Sequence, residues 1–143
     1  MKNKTFIDSD VIIDLLIDRQ PHSKAVTIIF DLAEKKEIEL CTSAICITNV
    51  HYIVKKYLGD KKARVVIGEL AEMIEILQVT QSDVLNAVTS DFKDFEDAIQ
   101  HSVASGQKGI KSIVTRNTKD YAKSKIPVFS PETFIPILKN QHQ

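Results

Sequence analysis

Thr5-Phe6-Ile7-Asp8-Ser9-Asp10-Val11-Ile12-Ile13-Asp14-Leu15-Leu16 is the stretch whose reading decides the fold. Phe6 and Ile7 are adjacent and both apolar, which suits a strand covered on both faces. Asp8, Ser9 and Asp10 stand where that strand ends, and Ser9 or Asp10 is placed to cap a helix continued by Val11, Ile12, Leu15 and Leu16. In open parallel sheets the ligand crevice lies at the carboxyl ends of the strands. A carboxylate delivered there by the first strand is therefore a candidate functional group. The same two acids also serve as ordinary turn and cap residues, and this stretch alone is compatible with both roles.

Outward from this point, strands and helices alternate. After the break at Arg19-Gln20-Pro21-His22-Ser23, a second helix starts with Pro21 in its first turn and carries Ala25, Ile28, Ile29 and Leu32 at helical spacing. Ile38 to Thr42 reads as a strand. Ser43 caps a third helix that stops at Gly59, and Asp60 and Lys61 open a fourth. Ile74 to Val79 reads as a strand with Ile74 and Ile76, and Leu77 as a further candidate, expected to be buried, and Ser82 caps a short helix after it. The acidic segment from Asp91 to Asp97 enters a further helix closed by Gly106 to Gly109. Ser112 to Thr115 is the fourth strand and Pro127 to Phe129 a short fifth. Ser130-Pro131-Glu132 starts a terminal helix, with a polar, frayed end expected from Lys139 to Gln143. Alternation of this kind, without hairpin signals, argues for an α/β fold with a mostly parallel sheet.

Bulk properties narrow the function classes. The chain has 143 residues, enough for one domain with a sizeable core, and 43% of them are apolar. Lys plus Arg and Asp plus Glu number 19 each, so any nucleic acid must be held by local patches or through metal ions rather than by a global basic field. No apolar run approaches the roughly 20 residues of a membrane helix. Met1-Lys2-Asn3-Lys4 leads straight into the first strand, so a cytoplasmic chain without a signal peptide or membrane association is expected. Cys41 and Cys46 lack zinc or redox spacing and read as buried reduced thiols. The four glycines are scattered and form no phosphate loop. No Ser, Cys and His stand at nucleophile–base spacing.

The carboxylates point to a different chemistry. Asp8 ends the first strand, Asp97 lies in the first turn of a central helix, and Asn117 and Asp120 follow the fourth strand. The ends of the first and fourth strands open on one edge of a parallel sheet, and a helix starting near that edge brings Asp97 to them. Hard cations such as Mg²⁺ or Mn²⁺ take oxygen ligands of this kind, and metal-assisted phosphodiester cleavage uses them. Asp94 shares a helical face with Asp97 and is a plausible further ligand, whereas Glu96 points about 100° away. His101, four residues after Asp97, has chelating spacing, but an exposed i, i+4 pair is the favoured reading. His22, His51 and His142 have no partner at ligand spacing. Arg116 has two readings, a contact to a scissile phosphate or a solvated loop residue. Lys55, Lys56, Lys61, Lys62 and Arg64 cluster around Gly59, as an RNA-backbone track or as a solvated turn.

Three segments, Phe6 to Leu15, Asp94-Phe95-Glu96-Asp97-Ala98-Ile99-Gln100 and Ile113 to Tyr121, resemble in order the signature segments of PIN domains, small nucleases best known as VapC-type toxins of bacterial toxin–antitoxin pairs. The resemblance implies a three-layer α/β/α sandwich around a mostly parallel sheet, formed by residues 1–143 as one domain. It also implies cleavage of single-stranded RNA, dependence on Mg²⁺ or Mn²⁺, a homodimer and an antitoxin partner. Asp8 matches the family's first acid and Asp97 its central helix acid. Ser9 and Thr115 match its small hydroxyl residues, and Asp10 stands where Asn is usual. Asn117 falls where many members have an acid, leaving Asp120 to supply a fourth carboxylate. The departure is Asn49, where the family usually has Glu on the third helix. A neutral amide in that place removes one negative charge from a cation site, and Asp10 or Glu96 is the compensation to look for. It also opens a rival reading, a PIN-like domain that binds RNA or protein without turnover. A flavodoxin-like signalling domain shares the clustered acids but fits the order of segments poorly.

Overall fold

A computed structural model describes residues 3–141. His142 lies outside the described residues. Five strands, β1 (Asn3–Ile7), β2 (Ile38–Ser43), β3 (Glu75–Leu77), β4 (Ile110–Val114) and β5 (Val128–Phe129), form one sheet in the order β3-β2-β1-β4-β5. Every pairing is parallel, with Phe6 in register with Cys41 on one side and with Ile113 on the other. The helices are α1 (Ser9–Leu16), α2 (Ser23–Glu34), α3 (Ala44–Leu58), α4 (Asp60–Met73), α5 (Gln81–Val88), α6 (Phe95–Ser105) and α7 (Pro131–Gln141), with a 3₁₀ turn at Thr118–Tyr121.

Neighbouring apolar residues on a strand face opposite layers, and this builds the sandwich. Ile7, Leu40 and Val114 join a core with Val11 and Ile12 of α1, Ile29 and Phe30 of α2, Val50 and Val54 of α3, and Phe134 of α7. Phe6, Cys41 and Ile113 join a second core with Ala87 of α5, Ala98, Ile99 and Val103 of α6, and Tyr121. The α/β/α sandwich expected from the sequence is therefore the architecture observed, with a sheet that is wholly parallel.

Several local expectations need correction. Asp8 itself caps α1, its carboxylate accepting from the Ser9 N–H at 2.8 Å. Neither Ser9 nor Asp10 is the cap, because the strand delivers an acid one residue earlier. α2 begins at Ser23 rather than Pro21. The cap of α5 is Thr80, not Ser82: Thr80 and Asp83 exchange side-chain and backbone hydrogen bonds in a capping box. β3 is shorter than expected, and Ile76 is exposed while Ile74 and Leu77 are buried. The other punctuation holds. Ser43 accepts from the Cys46 N–H to start α3, and Gly59, at φ 82°, ends it in a conformation that L side chains rarely adopt. Cys41 and Cys46 are buried free thiols, and burial raises both to about 12.

Candidate active site

The strand order reverses direction at β1 and β4, and their carboxyl ends form the crevice that such a switch creates. The Asp8 N–H bonds to the Val114 carbonyl at 3.0 Å, which pins the chain just past the end of β1 against the last residue of β4. The side chain of Asp8 is nearly sealed from solvent, at 3% exposure. Its Oδ1 accepts from the Ser9 N–H at 2.8 Å. Its Oδ2 accepts from the Thr115 hydroxyl at 2.9 Å and from the Tyr121 hydroxyl at 3.3 Å. The Cys46 thiol adds a weak contact to Oδ1 at 3.9 Å. Two short donors and the longer Tyr121 contact fix the carboxylate's rotation. Burial nevertheless outweighs them and raises its pKa, with the charge of Asp94 acting in the same direction.

α6 brings in the second set. Asp94 caps the helix by accepting from the Asp97 N–H at 2.9 Å. Asp97 is buried, and burial, followed by the charges of Asp8 and Asp94, pushes its pKa up to about 7. Asp10 is pushed up to about 7 as well, by burial and then by Asp8, against the opposing charge of Arg116. One oxygen of Asp10, Oδ1, is buried without a hydrogen-bond partner among the described residues. Asp8, Ser9, Asp10, Asp94, Glu96, Asp97, Asn117 and Asp120 together line one cleft of about 180 Å³. The sequence-expected acids from β1, α6 and the loop after β4 thus meet at one place.

Other expected members stand elsewhere or act differently. Asn49 reaches the acids from α3, donating its amide to Glu96 at 2.5 Å, and burial followed by the Asp8 and Asp94 charges raises the Glu96 carboxyl. Arg116 does not offer its guanidinium to the cleft. It binds Asp14 through Nε at 2.6 Å and Nη2 at 3.3 Å, while its backbone N–H donates to Asp10 at 3.2 Å. His101 is not positioned as a chelating partner of Asp97. Its Nε2 accepts from the Lys125 N–H at 3.1 Å, its ring packs on Phe92, and burial and Lys125 lower its pKa. His51 pairs with Asp60 at 2.7 Å. Of the basic cluster, Arg64 is held by the same Asp60 at 2.8 Å, and the ammonium groups of Lys55 and Lys56 lie 5.6 and 4.2 Å from the ring centre of Tyr52.

Tyr121 is the site residue that sequence reasoning passed over. It lies in the quoted segment after β4, next to Asp120, but its buried hydroxyl becomes meaningful only once the 3₁₀ turn folds it back onto β1. No membrane-crossing helix is found among the described residues.

The donor set can be tested against a divalent cation. All the acids around the cleft offer hard oxygen, one Asp10 oxygen has no partner among the described residues, and burial followed by neighbouring carboxylates makes the charged forms of Asp8 and Asp97 costly, which a cation would relieve. Among the described residues no three His, Cys, Asp or Glu side chains already close into a finished ligand cage. A ring of carboxylates around a cleft, rather than a cage, matches the way Mg²⁺ is commonly held, through one or two carboxylates with water completing the shell.

The chain belongs to the PIN domain family, whose profile matches residues 4–119. It is 30% identical over 136 residues to ribonuclease VapC1 of Aquifex aeolicus (strain VF5), with 92% of each chain covered. Among solved structures it is similar to a toxin–antitoxin complex from Klebsiella pneumoniae, at 25% identity and a TM-score of 0.64, covering 89% of this chain and 97% of that one. It also shares the fold of VapC20 from Mycobacterium tuberculosis, described as a sarcin-ricin loop cleaving toxin, at 17% identity and a TM-score of 0.66, covering 83% of this chain and 94% of that one.

Proposed function

We propose that this protein is a divalent-metal-dependent endoribonuclease of the VapC type that cleaves single-stranded RNA, the toxin of a toxin–antitoxin pair. The observation that carries the reading is the gathering of Asp8, Asp94, Asp97, Asn117 and Asp120 around one cleft at the carboxyl edge of a parallel sheet, in a PIN domain related to a ribonuclease. Asp8 and Asp97 would hold a Mg²⁺ or Mn²⁺ ion, with Asp94 and Asp120 as further ligands and Asn117 beside them. When bound, such an ion acidifies water and offsets the charge that builds on the attacked phosphate. The chain's own part is to hold the ligands still. The Ser9 N–H and the hydroxyls of Thr115 and Tyr121 fix Asp8. Asp94 fixes the first turn of α6, from which Asp97 projects. Asp10 tethers the loop after β4 through the Arg116 N–H.

The partners in this proposal are an RNA strand, an antitoxin protein and a second copy of the chain, and the location is the cytoplasm. An antitoxin is supported by the Klebsiella complex. α2 and α3 spend Val26, Ile29, Phe30, Val50 and Val54 on the core and leave Ile28, Tyr52 and Tyr57 exposed for contact with a second copy.

The test compares Mn²⁺-induced stabilisation in this chain and in Asp8→Ala, followed by cleavage of mixed-sequence single-stranded RNA with Asp97→Ala as control. The expected result is a rise in Tm with millimolar Mn²⁺ that Asp8→Ala loses, because a ligand of the folded state stabilises it by mass action. Cleavage should likewise disappear in Asp97→Ala. RNA retention without cleavage at any metal concentration would instead favour the binding-module reading that Asn49 raises.

A further inference from the structure

Lys4, Arg19, Arg64 and Arg116 are each held by a carboxylate. Lys55 and Lys56 are not. Neither forms an ion pair among the described residues, and their ammonium groups lie instead 5.6 and 4.2 Å from the ring centre of Tyr52. That ring is 56% exposed on α3. Its place on the helix ties it to the cleft. Asn49, about one turn nearer the start of α3, donates to Glu96 Oε1 at 2.5 Å, and Glu96 lines the cleft with Asp8 and Asp97. Tyr52 and Lys56 stand three and seven residues after Asn49, within about 60° of it around the helix axis. A stripe of amide, aromatic ring and ammonium therefore leads away from the rim of the acids. We propose that Tyr52, with Lys55 and Lys56, is a subsite for one unpaired nucleotide flanking the cut: its base stacks on the ring and its phosphate takes the two ammonium groups.

This inference rests on the ribonuclease reading above and adds how the strand is gripped. Carboxylates wall the cleft, so away from a bound cation they repel phosphate. The chain has no net charge, so a polyanion must find its cations locally. Arg116, in the loop beside the cleft, is committed to buried Asp14. The α3 pair is not spent in this way. Lys carries its charge on a flexible four-carbon stem, so either ammonium can turn from the ring to a phosphate. Stacking on an aromatic ring tolerates any base but needs an open base face, which a duplex hides. The subsite thus selects single strands. A second copy of the chain would also cover Tyr52. In a two-fold interface centred on this ring, however, the same patch meets itself, and the two lysine pairs would be pressed together. A nucleotide brings the opposite charge.

The test compares the full chain with Tyr52→Ala, Tyr52→Phe and Lys55→Ala/Lys56→Ala. The probe is a mixed-sequence single-stranded RNA, read by fluorescence anisotropy in EDTA and by KM and kcat of cleavage with Mn²⁺. Tyr52→Ala is expected to weaken binding and raise KM about tenfold, with kcat changed less than about twofold. Tyr52→Phe keeps the ring and should bind as the parent does. The lysine variant should flatten the slope of log affinity against log salt by about 0.7, the share of one neutralised phosphate. Mn²⁺ affinity by calorimetry and metal-free Tm should stay at the parent's values, which separates the subsite from the metal site and from the fold. Unchanged affinity and KM in Tyr52→Ala, with RNA still cut, overturn the subsite and leave the nuclease standing. Equal affinity of the parent for a duplex of the same sequence also overturns it. Dissociation of a dimer by Tyr52→Ala, seen by sedimentation, assigns the face to a second copy and overturns it too. Neither binding nor cleavage of RNA by the parent overturns the nuclease reading and the subsite together.

Discussion

Arg116 lies with its Nε 2.6 Å from Oδ2 of Asp14, a carboxylate with no solvent exposure at all. Arg19 approaches the same acid only at 3.6 Å. The pair joins the loop after β4 to the middle of α1 and so holds together the two strand ends that form the cleft. Arg116→Met is expected to destabilise the protein by about 3 kcal/mol, since it strands a buried charge with one distant partner. Asp14→Leu/Arg116→Met should recover most of that loss. Urea denaturation of the three proteins checks both statements, and a Met variant as stable as the parent would contradict the first.

The acids of the cleft make stability depend on pH in a direction opposite to that of a surface carboxylate. Asp97 and Asp10 rise from an ordinary value near 3.8 to about 7 on folding. Between those values the folded chain keeps protons that the unfolded chain has released. Stability is therefore lost progressively as pH rises from about 4 to about 7, and stays lost above that. After chelator treatment, Tm attributable to these groups should fall from pH 5 to pH 8, and Asp97→Asn should flatten the slope. Adding Mn²⁺ should restore Tm most at pH 8, where the carboxylates are charged. Tm scans at fixed ionic strength supply the measurement.

Thr115→Val should be costly for its size. The Thr115 hydroxyl donates to Asp8 and accepts from the Asn117 N–H at 3.0 Å, and the side chain is fully buried. Removing it leaves both groups short of a partner, at about 1–3 kcal/mol. Chemical denaturation should report a loss in that range, where Thr115→Ser should retain most of the stability.

Tyr121→Phe isolates a single hydroxyl. Its bond to Asp8 is long, at 3.3 Å, so a stability loss of about 1 kcal/mol or less is expected. The more telling readout is metal affinity against pH. With one donor fewer, Asp8 holds its proton more tightly, and ligands must shed protons to bind a cation. Mn²⁺ affinity should therefore drop more at pH 6 than at pH 8, whereas a purely structural role would lower it equally at both.

How much of this could be read before folding is instructive residue by residue. Asp8 and Asp97 were legible because a strand end and a helix start are local features, and parallel topology then brings them to one edge. Ser43 and Gly59 were legible for the same reason. The Thr80 cap was also written locally, as Thr80-Gln81-Ser82-Asp83, but Ser82 offered a competing hydroxyl and only the reciprocal bonds to Asp83 decide between them. The contacts of Glu96 with Asn49, Arg116 with Asp14 and Tyr121 with Asp8 were not legible. Each joins residues tens of positions apart whose meeting depends on how helices rotate against the sheet. Periodicity locates a residue on its own element and says little about which side chain of another element it will meet. For Arg116 this decided the role, because a cation that suits a phosphate also suits a buried aspartate.

The uniform strand direction has a practical corollary. All strands run one way and the acids that follow β1 and β4 line the cleft at their carboxyl ends, so the loops at the opposite rim, such as the exposed stretch from Gln107 to Gly109 just ahead of β4, take no part in holding them. An affinity epitope or a fluorophore grafted into that stretch would sit a strand's length from the cleft. It would give a handle for purification or single-molecule work without touching the chemistry of the cleft.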